Sequence, residues 1–279
     1  MTISSRDQLI DSMSNNSSRI VIDKASVVNT VVGQFTSLWR ATGQPGQGTL
    51  PTTAVTCNNT TTGAIGFTQQ TAPATSYLSI LELVAGQNTT TLEIHDRLAH
   101  MAGLNGTLTT AQTVNLDLDA LGPTDNVTTR KGDSNYSDVQ WWMEWHADTG
   151  GTAVTATVNV TFNDGTSANL SAISLAATRR AAFMQPLNSF IQAADSGKYI
   201  RDINSVTLSA TTAAAGNFGF TATRYRGSVF APISNARYKD DWAALGLPEI
   251  PNSSCLFGIL LPGATNTGAV RATGKLAHG

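Results

Sequence analysis

Apolar and polar residues alternate along most of this chain with period two, the period of half-buried strands. The start is different. Residues 4–14 place Leu9, Ile10 and Met13 on one helical face, with Ser5 at the capping position and Asp7 and Gln8 in the first turn. Asn15-Asn16-Ser17-Ser18 breaks this helix, and Arg19-Ile20-Val21-Ile22 follows as a short β run. A second amphipathic segment opens at Ser26, with Val28, Val31, Val32, Phe35, Leu38 and Trp39 near helical spacing. It stops before Thr42-Gly43-Gln44-Pro45-Gly46-Gln47-Gly48, where alternating Gly and Pro dictate a loop.

From residue 50 the pattern is that of strands. Tyr77–Val84 is strongly β-like, Ala85-Gly86-Gln87-Asn88 reads as a turn, and Thr89–His95 as the return strand, with Leu92 and Ile94 on one face. Thr113–Leu118 alternates, and Val139–His146 is an aromatic strand. Val154, Ala156, Val158, Val160 and Phe162 alternate with Thr155, Thr157, Asn159 and Thr161. Asn163-Asp164-Gly165 follows at once as a hairpin turn, and Ser167–Leu175 returns. Ile203–Leu208 and Phe218–Tyr225 complete the set. Short strands with polar turns and no alternating long helices predict a mainly β chain, an antiparallel β-sandwich or jelly roll with short N-terminal helices and a C-terminal arm. After Ala231-Pro232, a short helix is expected within Asn235–Leu245, with Tyr238, Trp242 and Leu245 on one side. Leu247–Pro251 is extended by its prolines, Leu256–Leu261 is wholly apolar, and Gly263–Gly279 is expected as an arm. The expected organisation is an N-terminal segment 1–49, a β body 50–230 and a C-terminal extension 231–279.

Composition narrows the class. The chain has 279 residues, of which 41% are apolar and only 13% charged, against about 25% charged in an ordinary globular protein. Its formal net charge is -2. This excludes a basic nucleic-acid binder, an acidic-tail protein, a coiled coil and simple disorder. The polar surface must be built from Thr, Ser, Asn, Gln and Gly. Arg outnumbers Lys, 12 to 5; partner-covered surfaces favour that choice, and so does drift in a GC-rich genome. Cys57 and Cys255 do not form a disulfide framework and are expected as buried thiols, although one bridge between them is open to the sequence. Met1–Gln8 has no apolar leader core, and no apolar run is long enough to cross a membrane as a helix. The profile is that of a protein made in a cytoplasm yet built for the outside, which is the situation of virion proteins.

Several constellations invite chemistry. His95, Asp96 and His100 are metal-ligating types, but on a strand His95 and Asp96 face opposite ways, so a hydrogen-bonded structural cluster is the expectation. Trp141 and Trp145 share a strand face with Met143, while Trp142 lies on the other with Glu144 and His146. An exposed aromatic face stacks sugars, but Trp on both faces fits a strand buried on both sides, in a sandwich core or under a neighbouring subunit. Glu144, His146 and Asp148 alternate, and two acids four residues apart on a strand stand roughly 13 Å apart, too far for either glycosidase geometry. Arg179, Arg180, Arg224, Arg226 and Arg237 form a loose basic set better suited to protein interfaces than to nucleic acid. No nucleophile, metal-protease or phosphate-loop motif is present. The chain is therefore expected to have no catalytic, cofactor-binding or metal residues and to need no cofactor.

Three stretches carry a resemblance: Leu38–Gly46 (LWRATGQPG), His95–Leu104 (HDRLAHMAGL) and Val139–Trp145 (VQWWMEW). Together they resemble structural proteins of tailed-bacteriophage virions. The resemblance implies a non-enzymatic virion component assembled in the host cytoplasm, above all a capsid decoration (cement) protein that stabilises the head shell. A tail, neck or baseplate protein is the alternative, and a glycan-binding module the alternative of another class. The partners so implied are the chain itself, as a homotrimer, and the major capsid protein or other virion proteins, with neither nucleic acid nor membrane.

Overall fold

The computed structural model describes residues 3–25, 30–265 and 268–279. The chain is mainly β, with antiparallel sheets throughout the described residues. It divides into two compact units. The first comprises residues 1–49, 58–96 and 225–279, and the second residues 50–57 and 97–224. The strands Thr90–Leu104 and Phe218–Ala231 each change unit along their length.

In the first unit, one sheet runs through strands Tyr238–Asp241, Ser76–Ala85, Val270–His278, Ser17–Lys24 and Gly43–Gln44, with Glu249–Ile250 also paired to Ser76–Ala85. Alternation decides which residues point inward: Ile20, Ile22 and Lys24 are buried while Arg19, Val21 and Asp23 are exposed. Opposite lie Thr90–Asp96, Leu256–Pro262 and Thr36–Ser37. The two layers meet where Ile22 and Lys24 approach Leu38, Phe257 and Gly258. This is a sandwich interior.

The N-terminal helix is present as Arg6–Asn15, its first turn closed by the Ser5 hydroxyl, which accepts from the Gln8 N–H at 3.2 Å. Leu9 is its buried apolar contact and Ile10 points outward. The second amphipathic segment is not helical where it is described. Thr36–Ser37 is a short strand, Leu38 and Trp39 are buried, and Val31 and Val32 are exposed; Ser26 and Val28 lie outside the described residues. Trp39 explains this. Its indole lies against Gly48, where a Cβ would stand 1.9 Å from the ring, and its Nε1–H donates to the Thr49 carbonyl at 2.9 Å. A loop wrapped on an indole uses the Gly-rich stretch that a helix would waste.

Thr89–His95 does not return along Tyr77–Val84. Both edges of Ser76–Ala85 are already taken, by Val270–His278 on one side and by Tyr238–Asp241 and Glu249–Ile250 on the other. The chain therefore crosses to the facing layer. The residues read as a C-terminal arm carry that central strand, Val270–His278, paired along its whole length with Ser17–Lys24. The apolar Leu256–Pro262 is likewise covered by its own chain on both edges. Asn235–Leu245 holds a strand and a four-residue helix, Trp242–Leu245, capped by the Asp241 carboxylate.

The second unit is also a sandwich. One sheet runs Ser167–Asn169, Val154–Phe162, Ile200–Leu208 and Gln112–Asp117, with Ile173–Leu175 also on Val154–Phe162. The other contains Met184–Pro186, Val139–Trp145 and the unit's parts of Phe218–Ala231 and Thr90–Leu104, with Val55–Thr56 paired to the last. The Asp-Gly turn closes as expected: Gly165 N–H donates to the Phe162 carbonyl at 2.9 Å, and Ser167 pairs with Thr161. Val154, Val158, Val160 and Phe162 face inward and are buried, each contributing about 1.5–3 kcal/mol. They share one core with Trp141, Met143, Trp145, Phe218 and Phe220.

Candidate functional site

The residues with chemical potential sit on the strands just described, and burial determines what each can do. In the second unit, Trp142, Glu144, Thr221 and Thr223 alternate with the core residues Trp141, Met143, Trp145, Phe220 and Ala222, so they occupy the opposite sheet face. That face is buried as well. Arg97, fully buried, donates from Nη2 to both Glu144 carboxylate oxygens, at 3.1 and 2.8 Å. Its Nη1 meets Thr221 Oγ1 at 3.1 Å and His100 Nδ1 at 2.9 Å, and the Thr221 hydroxyl donates to Glu144 Oε2 at 2.8 Å. Three neighbouring strands are thus joined by a fully buried ion pair. Arg130 closes the loops nearby, donating to the carbonyls of Cys57 at 2.6 Å, Asp125 at 2.9 Å and Arg97 at 3.0 Å. Trp142 Nε1–H donates to Thr223 Oγ1 at 2.8 Å.

In the first unit, Asp96 pairs with Arg226 at 3.2 Å and accepts the Cys255 N–H at 2.8 Å, while Arg226 also donates to the Glu249 carbonyl at 3.0 Å. His95 points the other way. It packs edge-on against Tyr225 and bonds Glu93 at 2.9 Å. Burial holds the His95 pKa below its ordinary value despite Glu93, so the ring is neutral near pH 7. Lys24, at the end of an inward-facing series, donates to the carbonyls of Ala41 at 3.0 Å, Pro45 at 2.5 Å and Gly46 at 3.3 Å. Its burial lowers the amine to about 8.

One further group in the second unit departs from ordinary titration. Asp202 stands directly opposite Asp117 on neighbouring strands. Burial, and then Asp117, raise Asp202 to about 6, although Arg201 bonds its Oδ2 at 2.9 Å. For Asp117 burial acts upward, but the N–H groups of Ala120 and Asp119, the Asp202 carboxyl and Arg201 hold it below the ordinary carboxylate range.

The structure does not bring the sequence-selected residues into one site. His95 and Asp96 diverge into separate contacts, and His100 joins Arg97. The series Glu144, His146, Asp148 ends with the strand at Trp145: Glu144 is buried, whereas Asp148 is half exposed and paired with Arg180 at 2.8 Å. Trp141, Trp142 and Trp145 are buried on both faces. The basic set is engaged within the chain: Arg179 over the Phe183 ring, Arg180 on Asp148, Arg224 on Asp138, Arg226 on Asp96 and Arg237 on Glu82. Cys57 and Cys255 are buried thiols. Among the described residues, no three His, Cys, Asp or Glu side chains are grouped to hold a metal ion, and no helix is long and apolar enough to cross a membrane. Arg97, Arg130 and Lys24 are the structural centres that the sequence reading passed over. Only Lys24 carried a signal, a cation in phase with Ile20 and Ile22.

Fold and site together define an antiparallel β-sandwich protein whose buried charges act as clamps between strands. No protein-family model matches the sequence, and no curated protein does. Among solved structures, that of the infectious bursal disease virus Gx strain aligns with 94% of this chain and 82% of its own, at 10% identity and a TM-score of 0.18. The VP2 subviral particle of the same virus aligns with 94% of this chain and 81% of its own, at 11% identity and a TM-score of 0.17. Scores of this size do not establish a shared fold.

Proposed function

We propose that the protein is a non-enzymatic structural component of a virion, a decoration (cement) protein on the head of a tailed phage. In this reading it assembles as a homotrimer in contact with the major capsid protein. One observation carries the reading. Each of the three stretches that resemble phage virion proteins anchors a buried side chain that ties neighbouring segments together: Trp39 in its glycine-lined loop, Arg97 in its ion pair with Glu144, and Trp141 and Trp145 in the core. Each is built to hold strands together. A surface assembled from hydroxyls and amides, with little charge, suits a protein that is covered by neighbours. The buried Trp141, Trp142 and Trp145 offer no platform for stacking sugars.

The test is stoichiometry in the particle. A stained gel of purified virions is expected to show this chain at an intensity close to that of the major capsid protein. A faint band assigns it to the tail, neck or baseplate and overturns the decoration role, and its absence overturns the virion reading altogether. Sedimentation of the purified protein at micromolar concentration is expected to give a trimer.

A further inference from the structure

The outward face of the first unit's larger sheet carries a second kind of feature. Ser17–Lys24 and Val270–His278 pair in a register that sets Arg19 directly opposite Lys275. Like charges so placed repel, their Cβ atoms being about 5 Å apart. Neither side chain has an ion-pair or hydrogen-bond partner among the described residues, and both line a shallow groove of about 370 Å³ with Ile80, Glu82, Arg237 and Thr273. Lys239 lies opposite Glu82 on the outermost strand; its charge helps hold that carboxyl low, but among the described residues it makes no ion-pair contact or hydrogen bond. The remaining charges on this face are used. Arg237 and Thr273 hold Glu82, Arg271 pairs with Asp23 at 3.2 Å, and Asp241 caps the helix Trp242–Leu245. Five cations therefore face three carboxylates, on a chain whose formal net charge is -2.

We propose that this face is a docking surface for an extended acidic segment of a partner protein, with Arg19 and Lys275 binding one carboxylate and Lys239 a second. The geometry favours a peptide over other anions. Lys239 and Lys275 are separated by two inter-strand spacings, on the order of 10 Å, a span that two acidic side chains of one extended segment cover and one compact phosphate does not. Three cations outside any ion-pair contact are also too few for a nucleic-acid backbone, whose binders neutralise roughly 6–10 phosphates. Ile80 supplies an apolar floor for the peptide's own side chains. The site goes beyond the virion reading and stands whether or not that reading does, because it rests only on this face.

The experiment uses the whole protein and a fluorescein-labelled decapeptide of alternating Glu and Ser, followed by fluorescence anisotropy at low salt. Binding is expected to weaken steeply with added sodium chloride. Arg19→Ser with Lys275→Ser is expected to weaken it at least tenfold, while Arg6→Ser, on the N-terminal helix, leaves it unchanged. Arg19→Glu separates docking from folding. It turns the repelling pair into an attracting one, so it is expected to raise Tm by roughly 1–4 °C while abolishing peptide binding. Unchanged binding in either Arg19 variant overturns the proposal. So does displacement of the peptide by inorganic phosphate or by a DNA duplex at equal charge concentration, and so does failure of the peptide to bind the wild-type protein at millimolar concentration.

Discussion

Glu144→Ala tests whether the buried ion pair holds the second unit together. The substitution removes three charge-assisted hydrogen bonds, two from Arg97 at 3.1 and 2.8 Å and one from Thr221 at 2.8 Å. It also leaves a fully buried guanidinium without its counter-charge. Breaking one side of such a pair costs about 3–5 kcal/mol, most of it the penalty of the stranded charge. At roughly 2–4 °C per kcal/mol, Tm is expected to fall by roughly 6–20 °C. The reciprocal Arg97→Met strands the carboxylate and is expected to cost a similar amount. The double variant Arg97→Met/Glu144→Leu removes both charges and fills the space with apolar atoms. It is expected to lie within about 2 kcal/mol of the wild type, because apolar replacement of a whole buried pair is often neutral. Tryptophan fluorescence during urea unfolding is the assay, since Trp141, Trp142 and Trp145 lie on the strand that bears Glu144. A loss below about 1 kcal/mol in Glu144→Ala, or a double variant as unstable as the two single losses combined, would refute the reasoning.

Val158→Asp places a charge in an apolar layer and is expected to cost several kcal/mol, read as a large drop in urea midpoint or as insoluble expression. Gly48→Ala sets a methyl into the Trp39 indole and is expected to lower Tm and shift the fluorescence of that residue. Asp202 gives a pH dependence. Its folded pKa of about 6 lies above the ordinary aspartate value of 3.8, so the native state binds the proton more tightly and stability falls as pH rises from about 4 to 6. The span corresponds to at most about 3 kcal/mol; Asp117, held low, acts in the opposite sense only below about pH 4. Asp202→Asn is expected to flatten the slope between pH 4 and 6 and to raise stability at pH 7, and a slope that persists in this variant would remove Asp202 as its source.

Local order was legible where a pattern depends only on near neighbours. The Ser5-capped helix, the alternation through Val154–Phe162, the Asp-Gly turn and the doubly buried Val139–Trp145 strand all follow from spacing and turn chemistry within a dozen residues. Burial on both faces of that last strand was readable because Trp stood in both phases. The buried phase of a strand was also readable, but not its neighbour. Tyr77–Val84 and Thr89–His95 look like a hairpin, and only the occupation of both edges of Ser76–Ala85 by strands more than 150 residues downstream sends them into different layers. For the same reason an apparent arm became the central strand Val270–His278, and an apparent helix became a loop around Trp39. Charge pairing shows the limit most plainly. Arg97 and Glu144 are 47 positions apart, Asp96 and Arg226 are 130 apart, and Arg19 faces Lys275 across nearly the whole chain. An electrostatic partner is set by distance in space, which sheet register decides, and register is a property of the assembled layers rather than of any one strand.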